Sequence, residues 1–371
     1  MTTNMAGNKG KRILALAAVL CMIFLTGCVY KATESDDFNT AVPSETDGQK
    51  TDFGLAAHFI DVGQGDSTLI EANGHYMLID AGEKDQADTV ITYLKAQGVK
   101  KLDYVIGTHP HSDHIGGLEG VIREFDVTTV MLPEKEHTTR IYEQLLDAIA
   151  DKNIKVTIPA SGESYRLGDA SFQIISPNRD YGDNLNNWSI GMRLVYGKTS
   201  FVLCGDAEKE AEQDMLLSGF PLKADVLKVS HHGSSTSSTP EFMKAVSPRY
   251  AVISCGKNND YGHPHKETMD LLKKLGIKAL RTDQIGTIVI ESDGTGLRIQ
   301  GQDEQPDNRT VEARENEIDT NDYIINTNTG KFHLPDCKLA KSIKEENRKL
   351  YTGTREELIN QGLEPCKSCN P

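Results

Sequence analysis

The segment Thr108-His109-Pro110-His111-Ser112-Asp113-His114 places four metal-ligating side chains within six residues, in the order His-x-His-x-Asp-His. Imidazole and carboxylate together suit zinc, manganese or iron. On an extended backbone alternate residues share a side, so His109 and His111 can grip one ion. Asp113 and His114 come later and point elsewhere, which suits a second ion beside the first. Two ions roughly 3.5–4 Å apart can clamp the attacking and the leaving oxygen of a displacement. A metal also pulls the pKa of its bound water to near neutrality and so supplies a hydroxide nucleophile. A histidine-rich surface loop is the competing reading. Three of the chain's 11 histidines in one six-residue window argue against it.

Such a loop needs a stiff support. The apolar run 102–107 reads as a buried strand that delivers it. Upstream, residues 55–80 read as strands joined by turns, with an Asn73-Gly74 hairpin between the last two. Residues 89–97 read as a helix stopped by Gly98. Downstream come a strand at 127–132, a helix at 140–151 and short strands at 155–158 and 172–176. In a second series, strands 190–196 and 201–204 form a hairpin that delivers Asp206, followed by a helix at 207–217. Strand 226–230 delivers His231 and His232, and strand 251–254 leads to the loop of His263. Helix 266–274 and strands 287–291 and 297–300 close the series. Two strand-rich halves with helices between them suit two packed sheets flanked by helices. Every candidate ligand then lies on one rim, on loops above a rigid scaffold. Cys204 and Cys255 end apolar runs and read as small buried hydrophobes.

Further motifs follow one another along the same stretch. They are Asp61-Val62-Gly63-Gln64-Gly65-Asp66-Ser67, Leu78-Ile79-Asp80-Ala81-Gly82 and Ile115-Gly116-Gly117-Leu118. After them come Leu203-Cys204-Gly205-Asp206-Ala207, Leu227-Lys228-Val229-Ser230-His231-His232-Gly233-Ser234 and Asn259-Asp260-Tyr261-Gly262-His263-Pro264. Taken in this order with the histidine loop, residues 55–302 resemble the metallo-β-lactamase superfamily of hydrolases. Within it they resemble the ComEC-like branch, the hydrolase domain of competence-type DNA-uptake channel proteins. The resemblance implies an αββα sandwich and a metal site of His109, His111, Asp113, His114, Asp206 and His231. Asp206 would bridge the two ions, because a carboxylate has two oxygens; a turn aspartate is the alternative. Of His231 and His232 one is expected as a ligand, with His231 favoured and the other facing substrate or a supporting residue. Asp80 would accept a hydrogen bond from a ligand imidazole and fix its tautomer. Asp61 and Asp66 would do the same or order their turn. Asp113, His232 and His263 are the candidate catalytic residues. His232 or His263 would hydrogen-bond a phosphate oxygen, and His263 would protonate the leaving group.

The superfamily usually has another histidine between the histidine loop and the bridging aspartate, as a third ligand of the first metal. Here that region reads Asn184-Leu185-Asn186-Asn187-Trp188-Ser189. The first ion is left with His109, His111, Asp206 and an open position, which suits manganese as well as zinc. The gap also weakens the case for β-lactam hydrolysis. The departure itself resembles the DNA-uptake branch.

A second cluster closes the chain. His333-x3-Cys337 and Cys366-x2-Cys369 give three cysteines and a histidine, a set that binds structural zinc. A module as small as 321–371 has a thin core and benefits from a metal staple. Lys331-Phe332-His333-Leu334-Pro335-Asp336-Cys337 and Pro365-Cys366-Lys367-Ser368-Cys369-Asn370-Pro371 resemble small Ada-like metal-binding modules, named for the metal domain of a DNA-repair protein. A disulfide of Cys366 with Cys369 or Cys337 is the alternative. Residues 303–320, with seven acidic and two basic side chains and no apolar run, read as a linker.

At the other end, Lys9, Lys11 and Arg12 precede a 13-residue apolar run from Ile13 to Leu25. That is short for a bilayer span and fits a signal-peptide core. It runs into Leu25-Thr26-Gly27-Cys28, which resembles the lipobox of bacterial lipoproteins and implies lipidation of Cys28. A plain secretory signal is the alternative. Residues 1–27 thus read as a lipoprotein signal and 28–54 as a polar, flexible tether. The expected location is outside the cytoplasm, anchored to the membrane.

The formal net charge of −14 excludes a broadly basic nucleic-acid-binding surface. It leaves a nuclease open, because bound metals supply local positive charge. The expected protein is an exported phosphodiesterase or nuclease with two divalent ions, zinc or manganese, and one structural zinc in the tail. Its expected partners are nucleic acid as substrate and the membrane through its anchor; no protein partner is inferable. Two alternatives stand: a phosphodiesterase for a small or cell-wall substrate such as phosphorylcholine esters, and a non-catalytic surface-binding lipoprotein.

Overall fold

The computed structural model describes residues 53–301, 321–353, 355–369 and 371. The signal segment, Cys28, the tether up to residue 52 and the acidic linker lie outside the described residues.

The chain opens with the antiparallel strands β1 (Leu55–Phe59), β2 (Thr68–Ala72) and β3 (His75–Ile79). Asn73 (φ 50°) and Gly74 (φ 79°) supply the two positive φ angles that a tight type I′ hairpin needs. Helix α1 (Ala87–Ala96) then crosses over to β4 (Lys101–Ile106). The short α2 (Ser112–Ile115) and α3 (Leu118–Glu124) lead to β5 (Asp126–Met131). Helix α4 (Arg140–Asp151) leads to β6 (Lys155–Thr157). Strands β3 to β6 are mutually parallel, as helical crossovers require.

The second half runs through β7 (Ser164–Leu167), β8 (Ala170–Ser176), β9 (Gly191–Tyr196) and β10 (Thr199–Leu203), paired as antiparallel neighbours. Helix α5 (Lys209–Ser218), β11 (Val226–Lys228), α6 (Pro240–Val246), β12 (Tyr250–Ile253), α7 (Lys266–Lys274) and β13 (Lys278–Arg281) follow as parallel crossover units. After α8 (Thr282–Ile285), strands β14 (Ile288–Ser292) and β15 (Leu297–Ile299) return to the first sheet beside β1. The result is an eight-stranded sheet, β15-β14-β1-β2-β3-β4-β5-β6, and a seven-stranded sheet, β13-β12-β11-β10-β9-β8-β7.

The period of two along each strand decides which layer a side chain joins. In β10, Phe201 and Leu203 enter the core between the sheets, with Phe59, Met77, Phe172 and Met192. Val202, between them, faces the helices and packs with Met215, Phe242 and Leu272. On the far side α1, α3 and α4 bury Val90, Leu94, Ile122 and Leu145 against the first sheet. Helix, sheet, sheet, helix is the expected αββα order. Cys204 and Cys255 are fully buried in the helix-facing core of the second sheet.

Six elements of the sandwich are absent from the sequence reading: α2, α3, β7, α6, β13 and α8. Strands β7 and β13 are the edges of the second sheet and hold four residues each, too few to show a period. Helix α6 carries a start signal: the Thr239 hydroxyl accepts the Phe242 N–H at 3.3 Å, and Pro240 takes the first helical position.

The loop before α6 is tied to α5 by Glu212, which is fully buried and accepts the N–H groups of Ser238 (2.6 Å) and Thr239 (2.8 Å). Burial pushes its pKa from the ordinary 4.5 up to about 7. In the unfolded chain the group titrates near its ordinary value, so between these limits the folded state holds the extra proton. Its contribution to stability is therefore greatest below pH 4.5 and declines as pH rises to 7, by about 3 kcal/mol in all. Glu212→Gln is expected to flatten that part of the curve. Thermal unfolding of both proteins from pH 4.5 to 7 checks it, and parallel profiles would refute it.

The tail forms a separate four-stranded sheet in the order β18-β16-β17-β19. Its elements are β16 (Asn321–Asn326), β17 (Lys331–His333), α9 (Lys338–Lys341), β18 (Arg348–Gly353), α10 (Arg355–Asn360) and β19 (Glu364–Pro365). Alternation along β16 again splits its side chains. Tyr323 and Ile325 pack with Phe332 and Leu358, while Ile324 packs with Cys337, Ala340 and Cys366. No helix among the described residues is long and apolar enough to cross a membrane.

Candidate metal centre

The candidate ligands stand at strand ends of both sheets. Strand β4 leads into His109 and His111, and α2 turns Asp113 and His114 inward. From the second sheet, β10 delivers Asp206, β11 delivers His231 and His232, and the loop after β12 brings His263. Gly205 makes the approach of the two halves possible. Its φ is +51°, and a Cβ there would lie 2.9 Å from both the Thr108 and the Ser189 hydroxyl. Gly65 does the same for the turn after β1, where a Cβ would meet the Asp113 carbonyl at 2.5 Å. That turn braces α2: the Asp66 N–H donates to the Asp113 carbonyl (3.0 Å) and the Ala81 N–H to the His114 carbonyl (2.8 Å).

Asp113, His114, Asp206 and His232 offer ligand atoms that all lie within 4.8 Å of one another. His114 Nε2 is 3.2 Å from Asp206 Oδ2, and His232 Nε2 is 3.2 Å from Asp113 Oδ2. The same Asp206 oxygen lies 3.8 Å from His109 Nε2, which is 2.9 Å from His111 Nδ1. Asp206 thus faces both histidine groups. His114 Nε2, His232 Nε2 and Asp206 Oδ1 are buried without a hydrogen-bond partner. Each such atom costs about 1–3 kcal/mol unless something satisfies it. A divalent cation would satisfy all three, so the donor set fits a metal.

His232, not His231 as the sequence reading favoured, joins Asp113, His114 and Asp206 in this cluster. Both residues adopt left-handed backbone angles (φ 52° and 53°), so strand alternation does not set their directions. His232 is almost wholly buried, with Nδ1 at 3.0 Å from the Ser254 carbonyl. His231 is turned toward Thr236 Oγ1 (3.1 Å) and Glu208 Oε1 (3.4 Å), with Nε2 3.9 Å from Asp206 Oδ2.

The supporting residues fix the imidazoles. Asp80 accepts from His114 Nδ1 (2.8 Å), from the Thr108 N–H (2.8 Å) and from the Thr108 hydroxyl (2.7 Å). That leaves His114 Nε2 free to ligate. Ser189 Oγ lies 3.3 Å from His109 Nδ1 and accepts the Asp206 N–H at 3.0 Å. The segment where the family has a histidine therefore joins His109 to the Asp206 loop instead. Asn187 and Asn184 extend this link to the Glu208 N–H (2.9 Å) and carboxylate (2.9 Å). Asp61 is exposed and accepts the Gly63 N–H at 3.1 Å, which orders its turn.

Electrostatics follow from four carboxylates in one buried space. Burial alone would lower His114, but Asp206, Asp80 and Asp113 outweigh it and raise it well above the ordinary range. Burial likewise opposes the charge on His232, yet Asp206 and Asp66 push it up to about 10. Burial would raise Asp206, and His114 and His232 hold it well below the usual carboxylate range. His263, at the edge, is lowered to about 4 by burial and by His232 and His231.

Lys228 is a residue to which the sequence reading assigns no role. It is 2% exposed, and its Nζ lies 2.7 Å from Asp66 Oδ2 and donates to the Val229 carbonyl at 3.0 Å. Asp66 Oδ1 in turn lies 3.4 Å from His232 Nδ1. Lys228→Met removes the lysine cation from a buried carboxylate, leaving it only the His232 ring, and is expected to cost about 3–5 kcal/mol. In a domain of this size that is a fall in Tm of roughly 10 °C. Adding Asp66→Asn should recover much of the loss. A single variant as stable as wild type would refute the pairing.

The metallo-beta-lactamase superfamily pattern matches residues 60–257 of the chain. The chain is similar to ComE operon protein 3 of Bacillus subtilis (strain 168), 37% identical over 248 residues that cover 62% of this chain and 32% of that protein. It is also similar to Competence protein ComA of Neisseria gonorrhoeae, 30% identical over 242 residues that cover 65% of this chain and 33% of that protein. The chain thus spans about a third of the length of these relatives. Among solved structures it is similar to the metallo-beta-lactamase fold protein YhfI from Bacillus subtilis, at 14% identity and a TM-score of 0.44, covering 64% of this chain and 100% of that one. With the fold, the histidine loop and the Asp206 rim in place, the chain belongs to the metallo-β-lactamase superfamily.

Proposed function

We propose that the chain is an exported, lipid-anchored, metal-dependent phosphodiesterase that cleaves DNA or RNA. The observation that supports it most is the set of imidazoles and carboxylates gathered around Asp206, whose Oδ1 is left without a partner. His109, His111 and Asp206 would hold one ion, and Asp113, His114, His232 and Asp206 the other. Zinc or manganese suits these donors. When bound, the ions would supply an activated hydroxide and positive charge facing a phosphate. Similarity to a protein named for competence, together with the motifs that resemble the DNA-uptake branch, supports nucleic acid as the substrate class.

His263 stands at the edge of this site, its ring 6.0 Å from that of His232 and its Nδ1 without a partner. With its pKa lowered to about 4 it is neutral at pH 7. A neutral imidazole suits hydrogen bonding to a phosphate oxygen better than delivery of a proton to the leaving group. In the tail, His333, Cys337, Cys366 and Cys369 would hold a structural zinc, their ligand atoms lying within 4.8 Å of one another.

The net charge of −14 favours a second reading, a small or wall-linked phosphodiester, because a long polyanion is repelled. One experiment separates the two. Single- and double-stranded DNA and RNA are incubated with the purified protein and manganese, zinc or magnesium. Metal-dependent cleavage establishes the nuclease. Bound metal with no polymer cleaved moves the function to a small phosphodiester.

A further inference from the structure

Tyr261 is the one aromatic side chain among the described phenylalanines, tyrosines and tryptophans that stands open to solvent, at 67% exposure. It lies in the loop between β12 and α7. Its ring is nearly parallel to that of His263, at 18° and 5.6 Å between centroids, an offset stack. His263 is itself inclined by only 26° to His232, at 6.0 Å. Tyr261, His263 and His232 thus form a row of rings from solvent to the metal centre.

The loop that carries the row is pinned. Asn259 donates to the carbonyls of Gly256 (2.9 Å) and His263 (2.6 Å) and accepts the His263 N–H (2.9 Å). His265 packs edge-on against His263 at 4.8 Å, and its Nδ1 accepts the Ser235 N–H at 2.9 Å. One face of Tyr261 is therefore held against His263, and most of the side chain is left to water.

We propose that Tyr261 is a stacking platform for a nucleobase beside the scissile phosphodiester; this rests on the phosphodiesterase reading above. An exposed aromatic face offers every base the same π surface, so such a platform tolerates sequence. Charge makes the same point. A chain of net charge −14 repels a polyanion overall. Uncharged contacts offset such repulsion, and base stacking on an aromatic ring is one of them for a single strand.

The test compares an oligothymidylate with an oligomer of equal length made of abasic sugar-phosphates, cleaved by the full chain. Tyr261→Ala should lower kcat/KM on the oligothymidylate by about 5- to 150-fold and leave the abasic oligomer unaffected. Tyr261→Trp should keep the wild-type preference for bases. Wild-type rates from Tyr261→Ala on the oligothymidylate, or an equal loss on both oligomers, would overturn the platform alone. A metal-loaded wild-type protein that cleaves neither oligomer would overturn the reading of single-stranded DNA as substrate, and the platform with it, and would move the function toward a small phosphodiester.

Discussion

Asp206→Asn is expected to remove metal-dependent hydrolysis and most of the bound metal together. Asp206 is 2% exposed, and its Oδ2 lies within 3.9 Å of nitrogens from His109, His114, His231 and His232. Asparagine keeps the shape but replaces one oxygen by an NH2 group, which repels a cation and cannot ligate. Losing the shared carboxylate weakens both halves of the ligand set at once. The expected fall in kcat/KM is at least about a thousand-fold, or ~4 kcal/mol. The Ser189 tie to the Asp206 N–H is a backbone contact and survives the substitution, so the fold should persist. Metal content per chain, measured by mass spectrometry after purification without chelator, checks the claim independently of substrate. Two ions retained in the variant would refute the bridging role.

The second large effect is expected in the tail. One of its two small core clusters is half made of the ligands themselves, since Ile324 and Ala340 pack against Cys337 and Cys366. The thiols also crowd one another. Burial would raise Cys337, yet the N–H groups of Ala340 and Leu339 and the neighbouring thiols pull it below the ordinary range. Cys369 is pushed up to about 12, chiefly by burial and then by Cys337 and Cys366. A divalent cation relieves this crowding, and structural zinc in small modules is worth about 10–16 kcal/mol. Cys366→Ser should therefore lose one zinc per chain and the amide-exchange protection of residues 321–371, while metal binding in the hydrolase domain is unchanged. If Cys366 is in a disulfide instead, thiol titration of the unfolded wild type shows missing thiols and zinc content does not change.

The parts of the site visible in the sequence are those where spacing alone fixes geometry. His109 and His111 flank a proline on one extended segment and end up 2.9 Å apart. Asp206 follows a wholly buried strand and could only emerge at its end. His231 and His232 are different, because alternation is a rule for extended backbone and both lie in the left-handed region. Lys228 is hidden by type: lysine reads as a surface residue, and only the fold shows the buried Asp66 that receives it. The same limit applies to the scaffold. Strand β4 and helices α4 and α7 are long enough to carry a pattern. Edge strands β7 and β13 exist because a neighbour offers free backbone groups, which no four-residue pattern records.

The rim draws its ligands from both sheets: Asp113 and His114 follow β4 in one, Asp206 and His232 follow β10 and β11 in the other. An ion held there is a further cross-link between two layers that also meet through the Lys228–Asp66 ion pair and the Ser189–His109 contact along this seam. Opening the seam would expel the ion, so free metal resists the opening by mass action, by about 2.7 kcal/mol when present at a hundred times its dissociation constant. Metal supply then governs how long the molecule survives as well as how fast it turns over. In surroundings stripped of divalent ions, the chain would become a better substrate for proteases in the same step that silences it.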